Sequence, residues 1–220
     1  MKRCLHCMEI YQDEFDVCPF CGFVEGTEPE IAYALPPGTV VADRYIIGTV
    51  IGAGGFGITY VAWDTKLEIK IAIKEYFPTG LVNRIPGTLP ISLTGRNNEP
   101  VYQKGMQGFI DEAKALAKFN ESSGVVNVFD CIEENGTAYI IMEYIRGKSL
   151  EDLLKTGRTF SLEEILKITD TVLKILDYLH SRKPAVFYGD LKPDNLMMTS
   201  AGTLYLVDFG SAVFEYQRHS

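Results

Sequence analysis

No apolar run in these 220 residues approaches the roughly 20 needed to span a bilayer, and Met1-Lys2-Arg3 leads into cysteines instead of the apolar core of a signal peptide. A chain without a membrane segment, in a cytoplasmic and reducing location where disulfides are rare, is therefore expected. Basic excess is missing too. Lys and Arg number 21 against 29 Asp and Glu, a formal charge of −8, which argues against nucleic acid or anionic lipid as the main partner. The glycine-rich loop Gly52–Gly57 lacks a Gly-Lys-Ser/Thr ending and has no helix pattern after it, so a Walker loop and a dinucleotide fingerprint both fit poorly. What is present is a globular composition, 46% apolar with 11% aromatic, enough for one sizeable core and a small appendage.

Four of the five cysteines stand near the N-terminus, in Cys4-Leu5-His6-Cys7 and Cys18-Pro19-Phe20-Cys21, with the ten residues Met8 to Val17 between the knuckles. Two C-x-x-C knuckles at this spacing bring four thiolates onto one Zn²⁺, and a segment this short depends on the metal for its folding free energy. The competing readings are a pair of disulfides, a redox C-x-x-C, or His6 replacing one cysteine; two knuckles without a βαβ context favour zinc on Cys4, Cys7, Cys18 and Cys21. Residues 1–25 resemble the zinc ribbons found at the ends of many bacterial proteins. Residues 26–39, with Gly26, Pro29, Pro36 and Pro37, read as a linker that lets the ribbon move.

From Val40 the pattern is strand, glycine turn, strand: Tyr45–Ile51, Gly52–Gly57, then Ile58–Trp63. A glycine hairpin of this kind can fold over a triphosphate, because glycine lets backbone N–H groups approach closely. Ile71-Ala72-Ile73-Lys74 is an alternating strand ending on a lysine, and Phe109 to Phe119 has helical spacing with Glu112 on it. Pro78 to Lys104, containing Arg84 and Arg96, reads as an irregular inserted loop, either mobile or packed on its neighbours. Val125–Ile132 and Ala138–Tyr144 form a hairpin around Glu133–Gly136, and a hinge follows at Glu143–Gly147. Ser149 opens a short helix. Ser161 and Glu164 make a capping box for a longer one, whose expected buried stripe is Leu162, Ile165, Ile168, Val172, Ile175, Leu176 and Leu179.

The densest chemistry lies in Val186–Met197, where Asp190, Lys192, Asp194 and Asn195 fall within six residues beside Pro193. A strand, Thr203–Val207, then leads into Asp208-Phe209-Gly210. Taken in order, the glycine hairpin, Lys74, Glu112, Asp190–Asn195 and Asp208–Gly210 resemble the protein-kinase signature set, over residues 45 to 210, in the form found in bacterial eukaryotic-like (Hanks-type) Ser/Thr kinases.

The resemblance implies an α+β, bilobal protein-kinase-like fold over residues 40–220, with a β-rich N-lobe at about 40–144 and a partial helical C-lobe at about 145–220. It implies ATP and Mg²⁺ as cofactors and Ser/Thr hydroxyls of a protein as acceptors, with the ribbon as a partner-binding or sensing module. In the implied site, Ile51, Gly52, Ala53, Gly54, Gly55, Phe56, Gly57 and Thr59 cover the nucleotide, and Lys74 holds phosphates and pairs with Glu112. Ala72 and Met197 sandwich the adenine, Met142 backs it, and the Glu143 to Ile145 backbone bonds it. Asp190 accepts the hydroxyl proton, Lys192 steadies the γ-phosphate, and Asn195 with Asp208 holds Mg²⁺.

Two departures qualify the likeness. Tyr188-Gly189-Asp190 replaces the usual His-Arg-Asp, which removes the arginine that reads an activation-loop phosphate, while Tyr188 can fill the place of the histidine beneath Phe209. The Gly-Asp-x-x-x-x-Asn pattern is also similar to small-molecule phosphotransferases such as aminoglycoside kinases, although Lys192-Pro193 and the full glycine hairpin stand nearer to protein kinases. Only ten residues follow Gly210, so a domain truncated after Asp-Phe-Gly is expected, either a fragment or a remnant acting as a pseudokinase scaffold.

Overall fold

The computed structural model describes residues 1–119 and 124–215. The chain forms two compact units, Met1–Lys114 with Val128–Tyr144, and Ala115–Asn127 with Ile145–Ser220, in the bilobal α+β arrangement expected. No helix among the described residues is long and apolar enough to cross a membrane.

In the first unit, β1 (Lys2–Arg3) pairs with β2 (Ile10–Tyr11) in the cysteine segment. A six-stranded antiparallel sheet follows, built from β3 (Val40–Val41), β4 (Tyr45–Gly54), β5 (Gly57–Asp64) and β6 (Ile69–Tyr76). After the small hairpin β7 (Val82–Asn83) and β8 (Ser92–Leu93) comes α1 (Glu99–Leu116), and then β9 (Val128–Glu134) and β10 (Thr137–Glu143) complete the sheet in the order β3-β4-β5-β6-β10-β9. The β-branched and aromatic residues of β4 to β6 explain the sheet, since both faces of its centre are covered: Tyr60, Val61, Ala62, Ile71 and Ile73 are all buried.

The second unit contains β11 (Gly147–Ser149), α2 (Leu150–Lys155), α3 (Leu162–His180), β12 (Val186–Phe187), β13 (Leu196–Thr199), β14 (Leu204–Leu206) and β15 (Val213–Phe214). Strands β11, β13 and β14 make one small sheet, and β12 pairs with β15. Both expected caps are present: Ser149 accepts from the Asp152 amide, and Ser161 and Glu164 exchange both bonds of a capping box.

Three expectations are corrected. Helix α1 starts at Glu99, ten residues before the sequence pattern suggests, because Pro100 suits a first helical turn. Gly105, inside this helix, is a packing site: a Cβ there would lie 2.1 Å from the Tyr76 hydroxyl. Of the two readings of the inserted loop, mobile or packed, the packed one holds, with Arg84 buried to 1% exposure. The linker is equally fixed, since Ala34 and Leu35 are buried and the Leu35 amide donates to the Tyr60 hydroxyl at 3.0 Å. The ribbon is seated on the sheet too, with the Thr49 amide donating to Leu5 O at 2.8 Å and the Arg3 guanidinium stacked over Trp63. Finally, only Val172, Ile175 and Leu179 of the α3 stripe are buried; Leu162 and Ile165 are exposed, because none of the described residues covers the first turns of that helix.

Candidate functional site

The N-terminal cysteines converge as their spacing predicts. The Sγ atoms of Cys4, Cys7, Cys18 and Cys21 all lie within 4.8 Å of one another, with Cys4 to Cys21 at 3.6 Å and Cys7 to Cys18 at 3.7 Å. These separations are far too long for S–S bonds and match sulfurs held about 3.8 Å apart by 2.3 Å bonds to a tetrahedral Zn²⁺. Amides of His6 and Cys7 point at the Cys4 sulfur, as in a metal knuckle. Burial pushes the Cys7 and Cys21 thiols up, whereas at Cys18 donation from the Phe20 and Cys21 amides outweighs burial and brings it to about 7, so only Cys18 is drawn towards the thiolate by the protein itself. His6 is turned elsewhere, its Nδ1 2.9 Å from the Thr49 hydroxyl and its ring stacked on Phe23.

In the sheet of the same unit, paired residues of antiparallel strands share a face. Thr59 pairs with Lys74 and Lys74 with Ile140, while Val61 pairs with Ala72 and Ala72 with Met142. Thr59, Lys74, Ala72 and Met142 therefore stand on one face. Lys74 Nζ lies 3.8 Å from Glu112 on α1, both side chains about nine-tenths buried. The hairpin Gly52–Gly57 closes with Gly54 paired to Gly57, and Gly52, Gly54 and Gly55 have open space where a Cβ would stand, leaving the backbone accessible to a ligand.

The other face of β6 carries chemistry that the sequence pattern did not single out. Glu75 and Arg84 form an ion pair with both side chains fully buried. Arg84 also donates to Tyr33 O at 2.9 Å and Leu89 O at 2.9 Å, and the Tyr60 hydroxyl donates to Glu75 at 2.8 Å. Desolvation opposes the guanidinium charge, but the Glu75 carboxylate outweighs it and holds Arg84 above its ordinary range. A strand residue next to Lys74 that alternates to the opposite face was the only sequence signal for this network.

In the second unit, Asp190, Lys192 and Asn195 meet. Asp190 Oδ2 accepts from Lys192 Nζ at 2.8 Å and from Asn195 Nδ2 at 3.0 Å, and Asn195 also bonds the Asp190 carbonyl at 2.9 Å. The Lys192 ammonium, with Asn195 adding to it, lowers the Asp190 carboxyl from its ordinary value, so a carboxylate able to accept a proton stands there at neutral pH. The turn Pro193–Asn195 shapes this cluster, with proline at its start. Asp208 sits at φ 60, a left-handed conformation uncommon outside glycine, and its Oδ1 accepts from the Gly210 amide. The Tyr188 ring packs edge-on against Phe209 at 5.0 Å, and its hydroxyl donates to Val207 O. Gly189 has φ 82 and a Cβ there would lie 2.6 Å from Ser211 O, so this backbone has no room for an arginine at that position. Met197 lies in β13 opposite Ser149 of β11, and Ile145 is buried.

The carboxamide and carboxylate oxygens of Asn195 and Asp208 are hard donors of the kind Mg²⁺ prefers, and the four thiolates are the softer set that suits Zn²⁺.

Comparison with known proteins identifies a protein kinase domain over residues 92–220. A probable serine/threonine-protein kinase of Streptomyces coelicolor is 33% identical over 176 residues, covering 78% of this chain and 23% of its own length. The probable serine/threonine-protein kinase PknB of Bifidobacterium longum is 30% identical over 80% of this chain and 24% of its own length. PknG of Mycolicibacterium smegmatis is 30% identical over 88% of the chain and 22% of its own length. This chain thus spans about a quarter of these relatives. Among solved structures, the apo form of PpkA-294 superposes with a TM-score of 0.72 at 34% identity, over 81% of this chain and 62% of that one.

Proposed function

Because this chain belongs to the protein kinase family, we propose that it serves ATP- and Mg²⁺-dependent phosphoryl transfer to Ser/Thr hydroxyls of a protein, with the zinc ribbon as a seat for a protein partner. The observation that carries this reading is the cluster in which Asp190 is held by Lys192 and Asn195 while its carboxyl stays ionised. Phosphoryl transfer asks a protein mainly for positioning and neutralisation of oxygen charge. Asp190 takes the proton from the attacking hydroxyl, and Lys192 is near enough to neutralise a phosphate oxygen beside it. Asn195 orients Asp190 and, with Asp208, offers oxygens to Mg²⁺, whose contribution is to neutralise charge on the transferring phosphate. Lys74, kept in place by Glu112, and the open backbone of the glycine hairpin hold the remaining phosphates, and Ala72 and Met142 on the same sheet face receive the adenine. Lys192 two residues after Asp190 favours Ser/Thr over Tyr as acceptor, and a protein over a small molecule. The lack of space at Gly189 supports activity that does not wait on an activation-loop phosphate.

The test is transfer of labelled phosphate from ATP to protein by the full-length protein and its Asp190→Asn variant. Loss of at least a hundredfold in the variant is expected, since a positioned general base contributes about 10²–10⁴. Equal transfer by both would remove Asp190 from the mechanism.

A further inference from the structure

We propose that Phe77-Pro78-Thr79 is a built-in brace for the tip of the glycine hairpin, with Thr79 as a positioning residue for nucleotide phosphates; this rests on the reading of the hairpin as the phosphate cover. The tip itself has little to hold it. Phe56 is 68% exposed, and nothing packs where side chains would stand at Gly52, Gly54 and Gly55. Its two turn carbonyls are instead taken up by the chain leaving β6. The Phe77 amide donates to Phe56 O at 3.0 Å, the Thr79 amide donates to Gly55 O at 3.0 Å, and the Thr79 hydroxyl reaches the same oxygen at 3.2 Å. These bonds continue the β5–β6 pairing around the turn, beyond its last register pair Gly57 and Tyr76.

A brace must be fixed at its far side, and this one is. Phe77 is 2% exposed, its ring stacked on Tyr33 at 4.9 Å with the Arg84 guanidinium 5.3 Å from its centre. Arg84 is locked to Glu75 and to the Tyr33 carbonyl. The linker, the inserted loop and β6 thereby converge on Phe77, and Phe77 sets the position of Thr79 two residues on. With both turn carbonyls already engaged by fixed donors, the tip's own amides stay oriented before any phosphate arrives, which lowers the ordering cost of binding.

The experiment compares the affinities of the full chain for MgATP and for adenosine, which lacks the phosphates, in wild type, Thr79→Ser, Thr79→Val and Thr79→Pro. Thr79→Pro removes both donors to Gly55 and is expected to weaken MgATP about tenfold, the equivalent of roughly one net hydrogen bond, with adenosine unchanged. Thr79→Val, which keeps the amide, should weaken MgATP about threefold, and Thr79→Ser should match wild type. A folded Thr79→Pro with an unaltered MgATP-to-adenosine ratio overturns the brace; if that variant does not fold, an unaltered ratio in Thr79→Val does so. Wild type that binds no MgATP overturns the functional reading instead. The brace is then decided without ligand by amide hydrogen exchange: slow exchange at Phe77 and Thr79, faster at Phe77 in Thr79→Val, supports it, and fast exchange at both in wild type refutes it.

Discussion

Replacing Arg84 by Met should be the most damaging single change in the first lobe. The substitution keeps the length of the side chain but deletes a guanidinium that holds Glu75, the Tyr33 carbonyl and the Leu89 carbonyl. Glu75 is then left as a carboxylate at 0% exposure with only neutral partners, the Tyr60 hydroxyl at 2.8 Å and the Tyr139 hydroxyl. Breaking a buried ion pair by removing one partner costs about 3–5 kcal/mol, mostly the penalty of the stranded charge. At about 2–4 °C per kcal/mol for a protein of this size, the melting temperature should fall by about 6–20 °C. Trp63 is the only tryptophan and lies in β5 of the same lobe, so its fluorescence reports the transition directly. The double variant Glu75→Gln/Arg84→Met removes the stranded charge while keeping an acceptor for Tyr60, and should recover a large part of the loss. A melting temperature within 2 °C of wild type for Arg84→Met, or a double variant no more stable than the single one, would refute the account of an energetically coupled buried pair.

Asp64 offers a pH test. Burial raises its carboxyl, but the Arg44 guanidinium and the amides of Leu67 and Lys66 together outweigh that and hold it below its ordinary value. Its folded pKa is thus lower than the unfolded one, so its stabilisation is complete above about pH 4–5 and is lost as the pH falls through the folded value. The gap in melting temperature between wild type and Asp64→Asn should be open at pH 7 and narrow towards pH 3; a constant gap would show that the charge carries no stability. For the ribbon, elemental analysis should give about one zinc per chain, kept in His6→Ala and lost in Cys18→Ser. Zinc loss from His6→Ala with retention in Cys18→Ser would overturn the ligand set.

Local features were legible from residues alone. Knuckle spacing, the strand–glycine–strand pattern, the capping box of Ser161 and Glu164, and the order of Lys74, Glu112, Asp190, Asn195 and Asp208 depend on neighbours a few positions away or on motif order. Glycines and prolines misled where packing set their role. Gly105 stands inside a helix where the Tyr76 hydroxyl occupies the space a side chain would need, and the proline-bearing linker is fixed because Leu35 and Tyr33 dock on Tyr60, Phe77 and Arg84.

The amino-acid order by itself determined the metal knuckles, the alternating strands and the clustering of Asp190, Lys192 and Asn195, since in each case the interacting groups lie within one turn, one strand or one short loop. Only the tertiary structure decided that Arg84 is an internal cation, that Gly189 faces the Ser211 carbonyl with no space for a side chain, and that Thr79 holds the glycine tip. Those partners are 9, 22 and 24 residues apart along the chain, and their meeting depends on how strands and loops fold back on one another, which no local periodicity encodes.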